Sequence, residues 1–171
     1  ARRLPRVGDA FRADFERIAE LRPDLVLAWD SGTPARTLER LRSLGYRVVA
    51  LEPVTLEEIA EHLRIIGQLA GTDTAAEQAA SDFLAHLGEL RAAHARLQRV
   101  RVFVQLSDRP YVTVTDRNFL GQSVALCGGE NVFGALPGNT AVVATEAVVT
   151  ALPQVIVASD MSYGSGGTSG T

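Results

Sequence analysis

The sequence of 171 residues contains a single cysteine, Cys127. One thiol cannot build a disulfide framework within the chain, so cysteine usage assigns no redox compartment. There is no basic tract and no interleaving of aromatic with basic residues. With a formal net charge of -3 and a pI near 5.6, nucleic acid is excluded as the main partner. No apolar run approaches the roughly 20 residues of a membrane-spanning helix. The longest, Ala141 to Val149, is short and carries Glu146. The chain opens on Ala1-Arg2-Arg3-Leu4-Pro5 without the apolar stretch of a secretory signal, which a mature secreted protein and a cytosolic one would share.

Catalytic signatures are also missing. No Gly-x-Ser-x-Gly elbow occurs, and Gly164-Ser165-Gly166-Gly167 neither follows a strand nor opens a helix, so it reads as linker rather than a phosphate loop. The three histidines, His62, His86 and His94, fall on helical stretches without converging acidic or thiol partners. They read as solvated surface residues rather than metal ligands. Cys127, at the end of an apolar helix, reads as a buried structural thiol or half of a disulfide whose partner lies elsewhere, not as a nucleophile. Asp30 is the only acidic residue that stands out in a loop after a strand. No enzyme and no cofactor is expected.

What is present is a hydrophobic content of 46%, enough for a packed core. Phe11, Phe15, Ile18, Ala19 and Leu21 recur at helical spacing. Leu25 to Trp29 follows as a short apolar run, expected to be a buried parallel strand. Leu38, Leu41 and Leu44 mark a helix stopped by Gly45, and Tyr46 to Leu51 marks a second strand. Thr55 and Glu58 form a capping box for a helix with Ile59, Leu63, Ile66 and Leu69 that ends at Gly71. A long Ala-rich helix is expected over 74–98, capped by Asp73 or Thr74 and spanning about 37 Å. Such a length suits a bridge between two lobes.

A second β/α series follows. It has a strand over 100–106, a turn at Ser107-Asp108-Arg109-Pro110, and an alternating strand from Tyr111 to Val114. Asn118 caps a helix stopped by Gly128-Gly129, and a loop with Gly134, Pro137 and Gly138 comes next. Thr145 is expected to cap a short helix, and 153–158 to form another parallel strand. The tail from Ser162 to Thr171, rich in Gly, Ser and Thr, reads as flexible. Leu21-Arg22-Pro23-Asp24-Leu25-Val26-Leu27-Ala28 echoes Ala151-Leu152-Pro153-Gln154-Val155-Ile156-Val157-Ala158. This echo is either an internal repeat or the ordinary look of a helix broken by proline before a strand. The fold class is therefore α/β, with two parallel-sheet lobes (1–72 and 99–160) joined by one long backbone helix (73–98) and a tail (161–171).

Trp29, the only tryptophan, sits at the carboxyl end of its strand, the edge where open α/β sheets bind ligands. A flat aromatic wall suits a ring-shaped amphipathic ligand, although the residue could equally close the core. Arg109 and Tyr111 occupy the equivalent end of the first strand of the second lobe. They read either as a facing wall across a cleft or as an ordinary polar hairpin.

Four segments together resemble a known family: Leu21 to Trp29, Leu41 to Gly45, Val102-Phe103-Val104-Gln105, and above all Cys127-Gly128-Gly129-Glu130-Asn131-Val132-Phe133. The sequence is similar, up to Ser159, to the periplasmic vitamin B12-binding proteins, and more broadly to the ABC-importer substrate-binding proteins whose lobes are joined by a helix (class III). The resemblance implies a stiff two-lobed protein that holds a corrinoid or metal chelate in the interlobe cleft and delivers it to a membrane permease dimer. It implies a periplasmic or extracytoplasmic location, with no catalysis. Trp29, with Asp30 beside it, matches an aromatic flanking the corrin. Val112 and Thr140 fall where aromatics line the opposite wall, with Tyr111 adjacent, and Glu146 matches a glutamate that pairs with permease arginines. The other docking glutamate falls at Ala35, next to Arg36, with Glu39 one turn away. Without rings at Val112 and Thr140, haem, a ferric siderophore or a small precursor corrinoid is an alternative cargo. Cys127 resembles a cysteine that pairs with one near the family's C-terminus. The resemblance also implies sheets incomplete at both ends, with exposed edges that favour dimerisation or strand swapping. Rival readings are a metal-ion receptor of the same architecture, a nucleotide-using α/β enzyme, and a regulatory sensor domain.

Overall fold

The structure is a computed structural model that describes residues 4–9 and 12–158. The expected helical position Phe11 and the Gly/Ser/Thr tail lie outside the described residues. The chain divides into two compact units, Ala1–Glu52 and Pro53–Thr171.

In the first unit α1 (Phe15–Leu21) begins where Asp14 accepts the N–H of Arg17 at 2.9 Å. Strand β1 (Val26–Trp29) runs parallel to β2 (Val48–Leu51), with Val26 opposite Val48 and Trp29 opposite Leu51. Helix α2 (Ala35–Ser43) buries Leu38 and Leu41. Gly45 follows at φ 88°, the left-handed geometry expected of a helix stop. One expectation fails in degree: β1 is not buried throughout. Its residues alternate, and Leu27 stays 45% exposed, the pattern of a sheet covered on one face.

The second unit opens with an αα-hairpin, α3 (Leu56–Ala70) and α4 (Asp73–His94). The capping box at Thr55 and Glu58 is present, and Gly71 ends α3 at φ 67°. Gly67 permits the tight approach: a β-carbon there would lie 2.2 Å from that of Ala76. Helix α4 is shorter than expected. It starts after Thr72, whose side chain makes no cap bond, and breaks after His94, so it spans about 33 Å. Leu87 of α4 joins Leu56 and Leu126 in one core cluster.

Strand β3 (Val100–Gln105) is the centre of a parallel sheet, flanked by β6 (Gly129–Asn131) and β8 (Val155–Ala158). A second sheet is antiparallel, with β5 (Tyr111–Val114) between β4 (Ser107–Asp108) and β7 (Thr140–Val143). Helices α5 (Phe119–Leu126) and α6 (Thr145–Ala151) complete the unit. The expectations of a simple turn over 107–110, and of a loop with Gly134, Pro137 and Gly138 between the helix stop at Gly128-Gly129 and Thr145, are corrected by β4, β6 and β7. Two of these strands are too short to show a period, and the third is masked by the apolar run it enters. Thr145 is the first residue of α6 rather than its cap; Ala144 takes that place, and no side-chain cap bond forms.

The motif 127–133 proves to be architectural. Gly128 turns at φ 80° to stop α5. Gly129 packs so tightly that a β-carbon would lie 2.5 Å from Cγ1 of Val124. Glu130 pairs with Arg101 at 3.1 Å, and Asn131 donates to the carbonyl of Val114 at 2.9 Å while accepting the N–H of Phe133. Phe133 then meets Phe103 edge-on, with ring centroids 5.6 Å apart. Cys127 is exposed, not buried.

The sequence echo has a geometric counterpart. Arg22 and Leu152 both adopt left-handed backbone (φ 45° and 46°), and each N–H closes back on its helix, at Ile18 and Val149. In each case a proline follows and then a parallel strand.

Candidate ligand-binding surfaces

In the first unit, Trp29 ends β1 and is 57% exposed. Its indole rests against Gly32, whose missing side chain makes room for it: a β-carbon there would lie 2.6 Å from Cε3 of the indole. The turn is pinned by backbone bonds from Thr33 to Trp29 and from Asp30 to Leu51 (2.9 and 3.2 Å), and by the Ser31 N–H, which donates to the Glu52 carboxylate at 3.1 Å. Asp30 is exposed beside the ring. The sequence therefore places a large apolar ring in solvent on a turn fixed by several hydrogen bonds. Glu39 is exposed on α2.

In the second unit, Tyr111, Val112 and Thr140 share the antiparallel sheet but not one face. Directly paired residues point the same way, and side chains alternate along a strand. Tyr111 pairs with Val143 and turns inward, edge-on to Phe103 at 6.4 Å. Val112 pairs with Val142 on the opposite face, and Thr140, paired with Val114, lies on that same face two residues from Val142. Val142 is 67% exposed and was not singled out from the sequence, where it was absorbed into the apolar run from Ala141 to Val149. The signal that marks it is the pairing with Val112, which only the strand register supplies. Arg109 sits in the turn between β4 and β5, exposed and 3.5 Å from Asp108. Glu146 is exposed in the first turn of α6.

Among the described residues no group of three or more His, Cys, Asp or Glu side chains is placed to hold a metal ion, and no helix is long and apolar enough to cross a membrane. His94 departs from the surface reading: it is half-buried, and its Nδ1 lies 2.8 Å from the carbonyl of Leu90. A concavity of about 440 Å³ in the second unit is lined by Arg91, His94, Arg99, Gln122 and Leu126, among others, and holds none of the candidate ligand residues. Arg91 there is already engaged by Glu57, whose carboxyl it holds below the ordinary value.

Comparison with known proteins gives the family: the periplasmic binding protein family matches residues 1–170, and the chain belongs to it. It is 34% identical over 163 residues to the vitamin B12-binding protein of Vibrio cholerae serotype O1, covering 95% of this chain and 59% of that one. A vitamin B12-binding protein of Yersinia pestis is 37% identical over 159 residues, covering 93% and 57%. The crystal structure of the periplasmic vitamin B12 binding protein of Vibrio cholerae superposes with a TM-score of 0.77 at 34% identity, over 92% of this chain and 62% of that one. The periplasmic heme-binding protein RhuT from Roseiflexus sp. RS-1 shares the fold, with a TM-score of 0.81 at 22% identity over 93% and 62%. The α/β class expected from the sequence holds, and the chain spans about three-fifths of the length of these relatives.

Proposed function

We propose that the chain is the larger part of an extracytoplasmic substrate-binding protein of an ABC importer. It captures cobalamin or a related corrinoid and passes it unchanged to a membrane permease dimer. The observation that carries this reading is Trp29, an aromatic ring held in solvent at the carboxyl end of a parallel strand. Leaving such a ring exposed forgoes most of the hydrophobic stabilisation its burial would give, and a ligand face recovers it. The names of the relatives support the cargo. Trp29 and Asp30 are assigned as ligand contacts of the first unit, and Arg109, Val112 and Thr140 as those of the second; Tyr111, packed on Phe103, supports that sheet from the other face. Glu39 and Glu146, exposed carboxylates on short helices, are assigned to permease docking through arginines.

A second reading of the cargo rests on a particular surface. Val112, Val142 and Thr140 offer aliphatic and hydroxyl groups where stacking on a corrin would call for rings. That surface favours haem, a ferric chelate or a smaller corrinoid. Calorimetric titration of the complete protein with cyanocobalamin, cobinamide, haemin and ferric siderophores decides between them. Saturable binding of one class names the cargo, and heats no larger than dilution for all of them reject the capture reading.

Among the described residues β8 is an edge strand, and it presents Val155, Ile156 and Val157 to solvent. We infer that this 171-residue chain, on its own, associates through that edge.

A further inference from the structure

The chain crosses from the first unit to the second at Glu52–Pro53, and both flanks of that step are tied down. On one side the Glu52 carboxylate is held by the Ser31 N–H. The ring of Pro53 fixes its own φ and restricts Glu52 to extended backbone. On the other side the N–H groups of Val54 and Thr55 donate to Oε2 of Glu58 at 2.6 and 3.3 Å.

Leu56 is the first residue of α3, and a first-turn N–H has no acceptor within its own helix. Its acceptor comes from 66 residues away, Oε1 of Gln122 in α5, at 3.0 Å. The Nε2 of the same amide donates to the carbonyls of Val54 (3.2 Å) and Asp116 (3.3 Å). One side-chain amide thus grips the backbone on both sides of Thr55 and ties it to the loop that follows β5. Only an amide offers the acceptor and the donors together. A carboxylate lacks the donors, and a thioether lacks the donors and accepts only weakly.

We propose that Gln122 is a positioning residue that anchors Val54–Leu56 to α5 and so fixes the backbone where α3 begins. The anchor stands on hydrogen bonds alone and is tested without any ligand. The measurement is residue-resolved hydrogen exchange by NMR on the 171-residue chain, with Gln122→Met and Gln122→Glu compared with the parent. In Gln122→Met the Leu56 amide exchanges roughly tenfold faster, the scale of one lost hydrogen bond. The amides of Cys127 and Gly128, bonded within the end of α5 to Ser123 and Ala125, keep their rates. In Gln122→Glu the Leu56 amide stays protected because its acceptor remains, while proteolytic cleavage within 52–56 quickens because the Val54 carbonyl is released. An unchanged Leu56 rate in Gln122→Met overturns the proposal. So does equal acceleration at Cys127 and Gly128, which would make Gln122 a general packing residue of α5.

Discussion

The indole of Trp29 lies against the bare backbone of Gly32, three residues further along the chain, where a β-carbon would approach Cε3 to 2.6 Å. The ring owes its place to the absence of a side chain. Gly32→Ala therefore displaces the indole and shifts its emission, with little change in stability because the site is exposed. Trp29→Ala likewise changes stability by no more than about 0.5 kcal/mol, yet weakens ligand binding at least about tenfold if the ring is an anchor. Denaturant unfolding beside a binding titration separates the two effects. A large stability loss with unchanged affinity would make Trp29 a core residue.

Gly67 and Ala76 set the separation of α3 and α4. Alanine at 67 gains up to about 1 kcal/mol of helix propensity. Its β-carbon would sit 2.2 Å from that of Ala76, however, and overpacking costs about 1–3 kcal/mol. The clash outweighs the propensity, so Gly67→Ala lowers the urea midpoint, and adding Ala76→Gly recovers part of the loss. A raised midpoint in the single variant would show that the helices separate freely.

Acid should loosen the same hairpin. Glu77 accepts hydrogen bonds from Arg64 Nε and Nη2 (2.7 and 2.9 Å) and from Ser81, which hold its carboxyl at about 2 against an ordinary 4.5. Glu58 is lowered by the backbone N–H of Val54, and Glu57 by Arg91. Because each folded value is depressed, the unfolded chain binds more protons. The stabilisation is present above the ordinary value near 4.5 and is lost as pH falls through it, down to about 2 for Glu77. All three carboxylates lie at the surface, so solvent screens the effect. Urea midpoints should be level above about pH 5.5 and fall below it. Gln at position 77 should make that fall shallower; an unchanged slope would remove Glu77 from the account.

The β8 edge predicts association. Ile156 pairs with Phe103 across the sheet but is itself exposed, so Ile156→Lys leaves the fold intact and places a charge on the open edge. Sedimentation velocity should show self-association of the parent chain and a monomeric variant. A monomeric parent at tens of micromolar would contradict it.

The parts of the fold written in local chemistry were legible beforehand. The capping box at Thr55 and Glu58, the left-handed stops at Gly45, Gly71 and Gly128, and the parallel strands at Trp29 and Ile156 all follow from neighbours within one turn. What was not legible depends on distant partners. Strand β6 exists because Gly129 and Asn131 pair beside Val100 and Val102, and β7 because Val142 meets Val112. The candidate surface divides in the same way. Trp29 announced itself by its strand end, whereas the inward turn of Tyr111 and the outward face of Val142 follow from register alone. The hydrogen bonds of Gln122, 66 and 68 residues from their partners, left no trace in the sequence.

Quenching of Trp29 fluorescence in the complete protein tests ligand capture most directly. The titrants are cyanocobalamin, cobinamide, haemin and ferric siderophores; free tryptophan corrects for their absorbance, and any further tryptophan is replaced. Saturable quenching by one of these classes, lost in Trp29→Phe, is the predicted result and names the cargo. Quenching no greater than that of free tryptophan with every ligand would contradict the account and remove Trp29 from the binding surface.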